Sequence, residues 1–271
     1  MQVDTSAETM RAHVALLMGD ALLDCGRHRK AFDHYRLVEP IRRTDRLVHC
    51  GLRGLAVKSL ETGLECFRTA GRAPPSESLA ECGTSLLRSG MLGEGQKAYR
   101  IACRNIPTQD LIVCGEVAAH NGWFETSIAA FQQAGAVTNL RSLGKQLLEG
   151  LKPDLGVIAF SATGTVPESQ DIAACLAACW AAGEFRKAVV CCRMLGIDPP
   201  QKDLLDCAKA ALTKGFLQFA QEAYAAAGLE LSTFASIENL LDCARECVRR
   251  SWYESAEDAF RLVVERGVTP M

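Results

Sequence analysis

The sequence predicts an all-α protein, an α-solenoid built from about eight antiparallel helix-turn-helix hairpins. Three observations predict it. A turn usually centred on Gly recurs at a fixed spacing, small residues keep phase on both sides of it, and Pro follows several units as a helix terminator. Composition agrees: aromatics are scarce at 6% and apolar residues make up 48%, which suits closely packed helices better than sheets.

The turns set the register. A Gly stands nine residues before a residue in the middle of a second helix, in the pairs Gly26–Tyr35, Gly90–Tyr99, Gly122–Phe131, Gly183–Cys192 and Gly215–Tyr224. Lys58–Phe67 and Ser251–Phe260 keep that relation without the Gly. The second-helix position advances by 32 residues from Tyr35 to Phe67, Tyr99 and Phe131, and by the same step from Cys192 to Tyr224.

Two rows of small residues flank the turns. Seven before lie Gly19, Gly51, Gly83, Gly115, Ala208 and Ala244; five after lie Ala31, Gly63, Gly95, Ser127, Ala188, Ala220 and Ala256. Small side chains at both places let two antiparallel helices approach closely. Twelve after the turn come Val38, Ala70, Ala102, Ala134, Leu195, Ala227 and Val263, where the second helix meets the next hairpin. Pro75, Pro107 and Pro200 follow their second helices.

The units start near residues 10, 44, 76, 108, 137, 168, 201 and 236. Neither helix of a unit can bury its apolar face alone, so stacking must do it. The fifth unit is the poorest, with Pro153 just after a turn placed at Gly150. Residues 1–271 read as a single helical-repeat domain, with one seam at 161–168 dividing 1–160 from 168–271.

The small residue in the first helix, the Gly turn, the small residue and aromatic of the second helix, and the trailing Pro together resemble the tetratricopeptide repeat, over roughly residues 10–266. The period of 32 is shorter than the 34 usual in that family, and the family's large residue at the start of the first helix is absent. The resemblance implies a right-handed superhelix whose concave groove is lined by the first helices. In this register that groove exposes Asp20, Asp24, Glu81, Arg88, Glu116 and His120 early, and Asp206, Lys209, Asp242, Arg245 and Arg249 late. Some members of the family clamp C-terminal carboxylates with Lys and Asn; the matching positions here hold residues such as Leu16, Asp20 and His49, so no such clamp is expected.

The charge balance bounds partners. The net charge of −2 gives no global positive field for nucleic acid or acidic membranes. A basic stretch from Arg27 to Arg53 is either a solvated turn face or an anionic docking patch, the latter carried by Arg42, Arg43 and Arg46. The apolar run Ile172 to Gly183 is too short to span a bilayer. Met1 to Met18 lacks the pattern of a signal peptide, and a reducing cytoplasm is the expected location.

Thirteen cysteines form no CxxC pair. One residue before the small first-helix position, Cys50, Cys82, Cys114, Cys175, Cys207 and Cys243 form a ladder, with Met18 and Ser142 in the other two units. Buried Cys acts as a small hydrophobe, and neighbouring rungs stand a hairpin apart, about 10 Å, too far for disulfides or a shared ion. The pairs Cys175/Cys179 and Cys243/Cys247 do share a helical face, but a metal would need further ligands. Cys191 and Cys192 read as core. No metal, cofactor or catalytic residue is expected, and no His, nucleotide-loop or nucleophile motif is found.

The resulting expectation is a non-catalytic scaffold that binds a protein or peptide. The alternatives are single-stranded RNA binding by a pentatricopeptide-like array, suggested by Gly150 to Asp154 and Gly267 to Pro270, and a regulatory domain of a larger assembly. The near-neutral pI weighs against RNA. Ala256, Ala259, Phe260, Val263 and Val264 are expected to leave an apolar flank on the last helix, open to self-association or to a covering partner.

Overall fold

The structure, a computed structural model, describes residues 5–266; Gly267 to Pro270 lies outside the described residues. Those residues form helices and connections with no strand among them. Cα packing divides the chain between Val137 and Thr138 into two compact units.

The first unit contains four hairpins: α1 (Thr5–Asp24) with α2 (His28–Tyr35), α3 (Pro40–Ala56) with α4 (Leu60–Thr69), α5 (Ser76–Leu87) with α6 (Leu92–Ile101), and α7 (Thr108–His120) with α8 (Phe124–Ala134). The second contains α9 (Val137–Glu149) with α10 (Pro153–Ser161), α11 (Ser169–Ala181) with α12 (Phe185–Leu195), and α13 (Gln201–Thr213) with α14 (Leu217–Ala226). The short α15 (Leu231–Phe234) precedes the last pair, α16 (Ile237–Arg249) and α17 (Tyr253–Glu265). The loop 162–168, where the sequence places a seam, connects α10 to α11 within the second unit.

One turn joins every pair. Gly26, Lys58, Gly90, Gly122, Leu151, Gly183, Gly215 and Ser251 all take the left-handed conformation. At each, two nested hydrogen bonds close the first helix, as in Gly90 N to Leu87 O at 2.8 Å and Met91 N to Leu86 O at 3.1 Å. That pattern satisfies carbonyls a helix end would otherwise leave open. The residue after the turn already caps the next helix, since its carbonyl accepts from five residues past the turn, as in Gly95 N to Met91 O at 3.0 Å.

The fifth hairpin is better formed than its sequence suggests. Its left-handed residue is Leu151, not Gly150, so Pro153 falls on the first turn of α10, where its missing N–H costs nothing. The ladder position then belongs to buried Leu143 and not to exposed Ser142.

The small rows have a packing reason. A Cβ on Gly51 would lie 2.8 Å from the Phe67 ring, on Gly83 2.7 Å from Tyr99, on Gly115 2.6 Å from Phe131 and on Gly144 2.6 Å from Phe160. Each ring therefore lies directly on the opposing helix backbone. From the other side, a Cβ on Gly63 would meet Leu55 at 2.8 Å and one on Gly95 would meet Leu87 at 2.6 Å.

Within the first unit consecutive first helices touch, α1 with α3, α3 with α5 and α5 with α7. Second helices are joined laterally by Arg29–Glu65 and by Gln96 Nε2 to Gln133 Oε1 at 2.7 Å. The second unit repeats the first of these links as Arg186 Nε to Glu222 Oε2 at 2.7 Å. At its end, the apolar flank expected on α17 is mostly turned inward. Ala256, Ala259 and Val263 are buried, Phe260 packs against the same core, and Val264 stays exposed. Hairpin closure against α16 uses the residues that the sequence reading left for a partner.

Candidate functional site: a first-helix face, a turn edge and a buried thiol cluster

On the first helices of the first unit, Asp24, Arg88 and His120 are exposed two residues before their turns, and His49 and Glu81 nine before. Glu116, six before its turn, is exposed as well. Such spacings fall on one side of a helix. Because neighbouring first helices touch, the positions line up across hairpins.

Asp20 sits deeper and is committed to structure. Its carboxylate accepts the Tyr35 hydroxyl at 2.8 Å and Arg46 Nε at 3.1 Å. Burial, then the bond to Asp20, pushes the Tyr35 ionisation up. Two hairpins on, the same place holds Thr84, Tyr99 and buried Asp110. Thr84 Oγ1 donates to Asp110 Oδ2 at 3.0 Å, and Arg88 Nε approaches Oδ1 at 3.4 Å. Tyr99 thus bonds both its own first helix, through Thr84 Oγ1 at 2.6 Å, and the next one, through Asp110 Oδ2 at 3.4 Å, whereas in the first hairpin Asp20 links Tyr35 to Arg46.

The structure therefore joins Asp20 and Arg46, which the sequence assigned to different surfaces, and draws Arg88 toward Asp110. Arg43 Nη1 donates to the Arg36 carbonyl at 2.7 Å. Arg42 is exposed and lines a cavity of about 680 Å³ with Glu8, Arg11, Ala12, Leu37 and Glu39. In the second unit the candidate cations form local pairs: Lys209 with Asp206 at 3.9 Å, Arg245 with Asp242 at 3.2 Å and Arg249 with Glu246 at 2.7 Å. The first two pairs are exposed on both sides and stabilise by only a few tenths of a kcal/mol.

A turn edge went unnoticed in the sequence. The residue directly after the turn is large, apolar and exposed at Met91, Trp123, Phe216 and Trp252. Trp123 lies over the preceding turn, 3.1 Å from where a Cβ on Gly90 would be. Phe216 and Trp252 approach with centroids 5.6 Å apart, and the Arg250 guanidinium lies 5.0 Å from the Trp252 ring. Beside Phe216 is a cleft of about 280 Å³ lined by Gly183, Glu184, Ala210, Lys214 and Phe219 among others. The available signal was the identity of the residue after each turn.

The cysteine ladder is buried throughout. Burial raises five of the six rungs, Cys82 and Cys114 to about 11 and Cys243 to about 12, so these side chains are neutral hydrophobes at physiological pH; at Cys50 a hydrogen bond with Cys66 lowers the thiol instead. One rung belongs to a larger thiol group. Cys175 and Cys179, on one face of α11, have sulfurs 3.9 Å apart, and Cys191 of α12 completes a group whose sulfurs all lie within 4.8 Å of one another. This third thiol comes from a residue that the sequence reading left in the core. It is the group of this kind found among the described residues.

No protein-family model matches the chain, and no curated protein matches it in sequence.

Proposed function

We propose that the chain is a non-catalytic, tetratricopeptide-like scaffold that holds a peptide or protein surface along the first-helix face of its first unit. The observation that carries the reading is the alignment of exposed His49 and Glu81, and of Asp24, Arg88 and His120, on first helices that pack side by side. Phosphate-binding surfaces depend on Lys and Arg; this row is mixed in sign, which suits a polypeptide better than a nucleic-acid backbone. The exposed turn-edge residues Met91 and Trp123 border it and supply the kind of apolar and aromatic anchor that dominates binding energy at protein interfaces. In this reading the groove is the concave surface that the repeat resemblance implies.

The test is quantitative recovery of partners from the native source by the full chain and by a Glu81→Lys, Glu116→Lys variant. Both substitutions are on exposed positions and leave the hairpin interiors intact. The variant should recover at least tenfold less of the partner than the parent. Equal recovery, or salt-sensitive binding of random single-stranded RNA by the parent chain, overturns the proposal.

A further inference from the structure

The sixth hairpin combines three thiols that other hairpins carry at most in pairs. Cys175 occupies the position eight before the turn, Cys179 four before and Cys191 eight after. The second hairpin holds the first and third of these, Cys50 and Cys66, with Gly54 between; the eighth holds the first and second, Cys243 and Cys247, with Ala259 as the third. Two residues one helical turn apart on α11 and one from the facing helix then make a closed triangle of sulfurs. A triangle with sides no longer than 4.8 Å has a point within about 2.8 Å of every corner, so an inward shift of the sulfurs by about 0.5 Å brings all three to the ~2.3 Å of a metal–thiolate bond.

The surroundings select the occupant. The cluster packs with Leu148, Phe160, Ile172 and Ala188, and Trp180 covers part of it. Lys187 is the cation nearest in effect, and it is paired to Glu184 at 3.2 Å. Three thiolates around a monovalent or divalent ion leave a net negative charge in this apolar interior, where an uncompensated charge is costly. A trivalent centre leaves none.

We propose that Cys175, Cys179 and Cys191 form a three-coordinate binding site for a trivalent thiophilic metalloid, with arsenite as its simplest probe. Arsenous acid and three thiols give the tris-thiolate and three waters. Three As–O bonds break, three As–S bonds form, each thiol proton leaves with a hydroxide, and arsenic stays trivalent. No proton is released to solvent. The thiols' elevation to about 11, 12 and 11 by burial therefore does not oppose this exchange, whereas a zinc ion must displace the protons outright. Access requires local opening of the hairpin, so binding is slow.

The site is independent of the scaffold reading, and its test needs no partner. The reduced full chain is incubated with arsenite, freed of excess reagent, and studied by native mass spectrometry and arsenic X-ray absorption. One arsenic per chain with three sulfur neighbours is expected. Cys191→Ala should weaken binding at least tenfold, Cys66→Ala and Cys243→Ala should leave it unchanged, and zinc should bind at least tenfold more weakly than arsenite. No bound arsenic, two sulfur neighbours, undiminished binding in Cys191→Ala, or preferred binding of zinc overturns the proposal. Should Cys191→Ala fail to fold, Cys179→Ala and the sulfur count on the unaltered chain decide.

Discussion

In the first unit the two helices of every hairpin meet in one way: a Gly on the first helix lies under a Tyr or Phe of the second. In the second unit the same slot is filled in three ways. Gly144 and Phe160 repeat the first arrangement, Ala208 with Tyr224 and Ala244 with Phe260 enlarge the small partner, and Leu176 with Cys192 exchange the sizes. Cys192 is buried and Leu176 partly buried, so both turn toward the interior of the unit. The difference teaches that the repeat conserves the combined volume of the slot more than either side chain, as close-packed interiors require.

The comparison breaks most easily at the Gly. Gly83→Val places a branched side chain against the Tyr99 ring and should cost about 3 kcal/mol or more, while Ala208→Val in the second unit should cost about half as much. Denaturant unfolding followed separately for each unit measures both; equal losses would remove the distinction between the units.

The size exchange should show as coupling. Leu176→Ala and Cys192→Phe, each destabilising by about 2 kcal/mol through a void or through overpacking, should together lose at least about 1 kcal/mol less than their sum. A double-mutant cycle with additive losses would mean that the two positions do not share a slot.

The smallest effects lie at the turns. Leu151→Gly and Lys58→Gly should each raise stability by up to about 1 kcal/mol, because both residues are held left-handed at a strain that Gly lacks. Gly90→Ala should lower it by a similar amount. Thermal midpoints suffice to read the sign, and a stabilising Gly90→Ala would overturn the account of the turn.

Most of the fold was legible because the repeat reports backbone geometry directly: a left-handed turn favours Gly, and a ring laid on a helix backbone excludes a Cβ. The fifth hairpin escaped because Gly150, beside the true turn at Leu151, drew the register off by one residue. That slip hid the Gly144–Phe160 pair and put Ser142 where Leu143 belongs. The site was less legible. Asp20, Arg46 and Arg88 have the composition of a solvated face, yet the contacts Asp20–Tyr35, Asp20–Arg46 and Arg88–Asp110 join residues 15 or more apart in sequence, which only the packed hairpins bring together. Cys191 was hidden for the same reason: its distance to Cys175 is set by how two helices face each other, and local spacing on one helix does not contain it.

The fused turn has a further consequence for how such a chain can change length. Inside a hairpin the residue that ends one helix also begins the next, so an inserted residue has nowhere to go without unmaking both caps. Between hairpins the chain is free to vary, and it does: the aromatic position shifts by 29 residues from Phe131 to Phe160 and by 36 from Tyr224 to Phe260, where α15 has been accommodated. The molecule therefore has two kinds of joint, one fixed and one elastic. Grafted loops, labels and evolutionary growth are all steered to the second kind, so the paired helices can persist while the links between them diverge.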